Sequence, residues 1–341
     1  MNLARRFRNW AAEQWILGRV VWPAVPARWR RSWRDVRNRG ETVWVGSDAE
    51  SRVCGWEWSS YLTVCQRRPR RGGQLLRKCL EEAPVRLRPL QARGRAPADP
   101  RLSIVIPFRG GERRNQLECV LRSWAGQDRE DWELLVVTDR GGTMPLPVLP
   151  DWIRLVALDS NDALFPKSRF LNAGARAARA DCLLLHDADI VVPANYAAQL
   201  IGRLQAGWDA VHPLRFLFYL DEAETAKFME SDGRSVVGRV ADVRQNFAGG
   251  SVAVRRTAYW AIGGMNESFA GWGLEDVDFY QRLETRKLFR GRYAAALHLW
   301  HAADRRAFTP GNRELYERES ALSAVERIQR LTARLNQGPA G

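Results

Sequence analysis

Cys182-Leu-Leu-Leu-His-Asp-Ala-Asp189 runs four apolar residues straight into two carboxylates spaced one residue apart. A short uninterrupted apolar run is a strand buried on both faces, and acidic side chains at its exit stand over the edge of a sheet. Working back from it, Lys167 to Ala180 is rich in alanine and arginine and reads as a helix. Ile153 to Leu158, Trp132 to Val137 and Leu102 to Ile106 read as further strands, the last stopped by Pro107, and Asn115 to Trp124 has helical spacing. Strands alternating with helices imply an α/β fold whose central sheet is mixed but mostly parallel and flanked by helices. Such sheets bind ligands beyond the carboxyl ends of their strands. Both Pro107-Phe108-Arg109 and Asp187-Ala188-Asp189 fall there.

Four stretches carry chemistry. Asp187-Ala188-Asp189 offers hard oxygen ligands, which divalent cations and the nucleotide diphosphates they accompany require. A helix cap ahead of Pro193 would account for at most one of the two aspartates. Gly271-Trp272-Gly273-Leu274-Glu275-Asp276-Val277-Asp278 sets an aromatic surface between glycines and then opens a helix, Asp276 to Thr285, with acids at its positive end. Dipole complementarity explains one or two acids, but not the tryptophan; an indole beside carboxylates suits a sugar. His298 and His301 stand three apart and face one ion if the chain turns helically between them; with Asp189 they complete a mixed oxygen and nitrogen sphere that tolerates manganese, although such a pair is often mere surface. Asn246-Phe-Ala-Gly249-Gly250-Ser251 precedes an apolar strand; the glycines permit close approach of a ligand or form a bulge.

The basic character is uneven. Residues 1–100 hold 21 Lys/Arg against 9 Asp/Glu, while the other 241 hold 32 against 30. Eight of the 15 tryptophans also lie before residue 99. Leu3, Phe7, Trp10, Leu17 and Val21 fall on one side of a helical wheel, with Arg5, Arg8 and Arg19 opposite, until Pro23 and Pro26 end the helix. Such a stripe suits an anionic membrane interface, and equally suits packing on the rest of the chain. Residues 84–100, with four prolines, read as a linker. The expected organisation is a basic region 1–98, a catalytic domain 99–310 and a helical tail 311–341. Five cysteines with no paired spacing, and no apolar stretch long enough to span a bilayer, point to a cytoplasmic protein, peripheral on the inner membrane face.

The pieces in order resemble the β-1,4-galactosyltransferase family and related domains of chondroitin synthases. The matching stretches are Ile104–Arg109, FPKSRFLNAG at 165–174, HDADIVVP at 186–193, FAGGSVAV at 247–254, IGGMNESFAGWGLEDVDFYQRL at 262–283 and HLWH at 298–301. The resemblance covers about residues 101–310 and implies a GT-A fold, a UDP-sugar donor, a glycan or glycolipid acceptor and manganese, with magnesium as a substitute. It implies that Pro107 and Arg109 hold the uridine, and that Phe165 and Lys167 lie near base and phosphates. It further implies that Asp187, Ala188, Asp189, Gly249 and Gly250 contact the nucleotide-sugar, and that Asp189, His298 and His301 bind the metal. Trp272 then lies over the sugars, Asp276 is the catalytic base and Glu275 contacts hydroxyls. The family carries Gly where this chain has Leu274. Its second arginine after Pro-Phe-Arg is displaced here by Gly110-Gly111, with Arg113 or Arg114 as substitutes. The expected reaction is an inverting transfer of galactose or N-acetylgalactosamine, with Glu275 and Asp278 raising the pKa of Asp276 by repulsion. The rivals are a retaining transferase of the same fold and a nucleic-acid-binding protein acting through the basic first hundred residues. No nucleic-acid motif supports the latter, and no nucleic-acid partner is expected.

Overall fold

The structure is a computed structural model that describes residues 11, 15, 17–22, 24–46, 48–49, 51–54, 60–140, 149–160, 162–235, 237–245, 247–302 and 309–337. Its centre is a seven-stranded sheet. The strands Leu102–Pro107 (β4), Trp132–Asp139 (β5), Ile153–Leu158 (β6) and Cys182–His186 (β7) run parallel, in the order β7-β4-β5-β6. On the other side of β7, Ser251–Arg255 (β12) runs antiparallel, followed by Ala210–Val211 (β9) and Leu288–Phe289 (β13). Every residue of β4 and β5 is buried, as apolar runs covered on both faces require. The helices Arg114–Ala125 and Lys167–Ala177 lie close to their expected limits.

A second sheet has the order β3-β11-β10-β14-β8, made of Ser60–Tyr61, Asp242–Gln245, Leu214–Tyr219, Ala294–His298 and Ile190–Val191. Its pairing of β14 with β8 sets His298 opposite Ile190, one residue beyond Asp189. The two sheets therefore meet at the exit of β7. A hairpin of Val43–Val45 (β1) and Arg52–Cys54 (β2) stands apart from both.

The described part of the first hundred residues is woven into this core. Trp33, Val36, Leu75, Leu76, Cys79 and Leu90 share one apolar cluster with strands of both sheets. The fully buried Arg215 of β10 donates to the carbonyls of Arg34 and Val36 and to Gln245 Oε1. Residues 84–100 are not a free linker. Arg93 lies 3.2 Å over the Trp132 ring and donates to the carbonyls of Glu130 and Trp132. A buried guanidinium held in this way fixes this segment to the start of β5. In the amphipathic stripe, Leu17 and Val21 are buried in the core cluster, so packing is the reading that holds for them; Leu3, Phe7 and Trp10 lie outside the described residues. Cys54, Cys65, Cys79 and Cys119 are buried thiols, whereas Cys182 is only partly buried. Among the described residues no helix is long and apolar enough to cross a membrane.

Candidate active site

The acidic loop leaves β7 as expected, and its three residues diverge. Asp187 donates its N–H to the Gly250 carbonyl at 2.9 Å, which ties the loop to the start of β12. The Ala188 methyl is buried in the core. Asp189, 4% exposed, turns to the second sheet and meets both histidines: its Oδ1 lies 3.8 Å from His298 Nε2 and its Oδ2 3.2 Å from His301 Nε2. One ligand atom from each of the three residues falls within 4.8 Å of the others.

The histidines do not reach this arrangement through a helical turn. His298 is the last residue of β14, and the chain after it is irregular. Leu299 donates back to the Asp189 carbonyl at 2.9 Å, and Trp300 donates to Thr225 Oγ1 at 2.9 Å and accepts from Gln116 Nε2 at 2.8 Å. These bonds aim two rings 5.6 Å apart at one carboxylate. Tyr219 stacks on His298 at 4.2 Å and fixes its plane. Two imidazoles and a carboxylate, all buried, form a mixed nitrogen and oxygen donor set of the kind that holds a divalent metal ion. Arg113, one of the two arginines expected to stand in for the displaced family position, reaches Asp189 Oδ2 at 3.4 Å. Burial opposes charge on Asp189, yet His298, His301 and Arg113 hold its carboxyl well below the ordinary range.

A second cluster is centred on Lys167, at the start of its helix. Its Nζ lies 3.1 Å from Asp187, 3.3 Å from Glu275 and 2.9 Å from Asp276. Burial disfavours the ammonium, but the three carboxylates outweigh it and keep Lys167 well above its ordinary pKa. Asp276 is shifted upward, first by burial and then by Asp187, with Lys167 opposing. The direction matches expectation but the source does not. Asp278 faces away from the site, bonded to Arg282 at 2.8 Å and to Arg327 at 2.8 Å. Glu275 is raised by burial and by Asp276, and its Oε2 accepts from the Gly273 N–H.

Gly249 stands against Asp276, and Gly250 lies in the left-handed region at φ 82°. A Cβ on Gly249 would lie 2.1 Å from Asp276 Oδ2, so its hydrogen makes room for that carboxylate. Asn246 lies outside the described residues. Pro107 is buried at the end of β4. The Arg109 guanidinium is engaged within the protein, with Asp139 at 2.7 Å and the Leu164 and Asp162 carbonyls at 2.7 and 2.5 Å. It thereby fastens the segment leading to Phe165, whose ring meets Phe170 edge-on and whose carbonyl accepts from Gly271.

Trp272 stands 51% exposed on its loop, between glycines at φ 72° and 111°. Leu274 also lies in the left-handed region, at φ 73°, where a side chain costs about 1–2 kcal/mol. A glycine in the family at that position has no such cost. Two residues unsuspected from the sequence fix the loop. Thr309 accepts from the Trp272 N–H at 2.8 Å and donates back at 3.0 Å, and Asn312 Nδ2 donates to the Ala270 and Gly273 carbonyls at 3.0 Å. A Thr and an Asn some 40 residues downstream give no sequence signal of this role.

Residues 103–263 match the model of glycosyl transferase family 2, and residues 240–301 that described as the N-terminal domain of galactosyltransferase. Chondroitin sulfate synthase 3 of Mus musculus is 23% identical over 121 residues, 35% of this chain and 14% of the relative; the Homo sapiens protein is 22% identical over the same lengths. The match thus takes in about one seventh of these relatives. The catalytic domain of Drosophila beta1,4galactosyltransferase 7, in complex with xylobiose, aligns with a TM-score of 0.38 and 19% identity, over 64% of this chain and 79% of that one. One family model takes in the β4 and β7 exits, the other the Trp272 loop and the histidine pair, and the two overlap at Gly249 and Gly250: residues 103–301 of this chain form a glycosyltransferase region similar to both.

Proposed function

We propose that the chain is an inverting, metal-dependent transferase that moves galactose or N-acetylgalactosamine from a UDP-sugar to a glycan or glycolipid acceptor in surface polysaccharide synthesis. The observation that carries the proposal is the meeting of two clusters at one sheet edge, Asp189 with His298 and His301, and Asp276 with Glu275, bridged by Lys167 and Asp187. Asp189, His298 and His301 would hold manganese, or magnesium in its place, which when bound offsets the charge of the leaving diphosphate.

The protein groups supply the rest. The Asp276 carboxylate takes the proton of the acceptor hydroxyl as that oxygen attacks the anomeric carbon. Its raised pKa strengthens it as a base, and the Lys167 ammonium beside it opposes that rise. Trp272 offers its exposed ring to the apolar face of a sugar, while Glu275 accepts from hydroxyls through the oxygen not held by Gly273. Pro107 and Phe165 flank the uridine, and Arg109 acts by fixing their loop. Attachment to the inner face of an anionic membrane, beside a lipid-borne acceptor, completes the reading; the arginine and tryptophan of the first hundred residues support it.

The test is a screen of UDP-sugars with manganese, with and without chelator, and proton NMR of the product. Chelator-sensitive transfer with an inverted anomeric centre is the expected result. A product that retains the donor configuration would refute the single displacement, and transfer indifferent to chelator would refute the metal.

A further inference from the structure

Away from the catalytic edge, a cavity of about 470 Å³ opens between the β1–β2 hairpin and the segment after residue 18. Four arginines line it, Arg19, Arg31, Arg37 and Arg52, against a single carboxylate, Asp35. That carboxylate is already paired with Arg52 Nε at 2.7 Å. Arg19 is bonded through Nε to the Trp29 carbonyl at 2.8 Å, and its own carbonyl accepts from the Arg31 N–H at 3.2 Å. The Arg37 Nε is buried with no hydrogen-bond partner, and among the described residues neither Arg31 nor Arg37 makes an ion pair. Buried guanidinium N–H groups are costly unless an acceptor meets them. Several forks facing one cavity suit the oxygens of a phosphate.

The surroundings narrow the source of that phosphate. Trp44 and Val45 line the cavity and are exposed. Trp15, Trp22 and Trp29 are exposed on the same segment of chain, although Leu17 and Val21 between them are buried. An exposed indole in a basic pocket, with further exposed indoles along the chain that lines it, suits the boundary between headgroups and acyl chains.

We propose that this cavity binds the phosphate of an anionic lipid headgroup while the surrounding tryptophans rest in the interface. The proposal rests on the membrane attachment put forward above and gives it a site. The pocket, not the amphipathic stripe, holds the protein at the surface.

The experiment is flotation of the full chain with vesicles of phosphatidylcholine alone, or with phosphatidylglycerol added. The double variant Arg31→Gln/Arg37→Gln is compared with Arg318→Gln/Arg330→Gln, which removes equal charge from exposed positions on the C-terminal helices. The protein floats only with phosphatidylglycerol, the pocket variant loses about thirty-fold in affinity, and the control stays within about threefold. Equal losses in both variants would overturn the pocket in favour of diffuse charge, and wild-type protein that never floats would overturn the attachment itself. Displacement by millimolar glycerol phosphate, with no blue shift of tryptophan emission on vesicles, would make this a site for a soluble phosphate instead of a lipid. Unchanged thermal unfolding of the variants confirms that they fold.

Discussion

Two carboxylates on the first turn of the helix Glu275–Leu283 live in opposite worlds. Asp276 faces the site, shares one ammonium with Asp187 and Glu275, and is left with its pKa raised. Asp278, two residues on, is buried with a guanidinium on each oxygen, Arg282 on Oδ2 and Arg327 on Oδ1. Arg282 in turn donates to the carbonyls of Ile262 and Gly264, so it pins the chain just before the Trp272 loop. The first group is kept reactive by being shared; the second is kept inert by being satisfied. An acidic stretch in a sequence is therefore not one site. Partners far along the chain divide it into chemistry and scaffold.

The sharpest way to break this contrast is to remove one charge at a time. Asp276→Asn is expected to lower transfer by about 10²–10⁴-fold while UDP still binds and the unfolding midpoint is kept. Near-normal turnover in that variant would remove Asp276 from its role. Asp278→Asn should do the reverse. It leaves two buried guanidinium groups short of charge and costs about 3–5 kcal/mol in denaturant unfolding. A stable Asp278→Asn protein would show that the ion pair is not what holds the loop.

Acid should loosen the floor of the site through its buried histidines. His186 is neutral and buried beneath the acidic loop, bonded to Ser251 and to the Ile190 carbonyl, and burial pulls its pKa down to about 4. His212 is likewise held well below its ordinary value, by burial and then by Arg292. With folded pKa values below the unfolded value near 6.5, the unfolded chain binds protons first as pH falls. Stability should then hold above about pH 6.5 and drop below it by up to about 1.4 kcal/mol per pH unit for each imidazole. For His186 the loss ends near its folded pKa. Denaturant midpoints measured from pH 7.5 to 4 check the slope, and a flat profile contradicts it. The smallest expected effect is at Leu274. Leu274→Gly should stabilise by no more than about 1 kcal/mol, because relief of the left-handed strain is partly offset by the freer unfolded chain. A loss of stability would mean that the leucine side chain packs better than its backbone suffers.

The parallel half of the sheet was legible because each strand is a local apolar run: Leu102–Pro107, Trp132–Asp139, Ile153–Leu158 and Cys182–His186 all lie within two residues of their expected ends. The second sheet was not, since strands such as Asp242–Gln245 and Ser60–Tyr61 are short and polar and exist only through pairing with distant partners. At the site, the Asp189, His298 and His301 set was readable from residue type and order. The path that joins them was not, because it depends on Leu299 bonding back to Asp189 rather than on any local turn. Nor could spacing reveal that Asp278 answers to Arg327, 49 residues away, or that Gly249 is small on behalf of Asp276.

The grip of Asn312 and Thr309 on the Trp272 loop bears on where this protein can be cut. Thr309 sits just before and Asn312 just beyond the border where the sequence places a helical tail, yet they are the pegs on which the indole hangs. A shortened chain ending at residue 310 would keep every acid and both histidines of the site, and still leave the sugar platform untethered on one side.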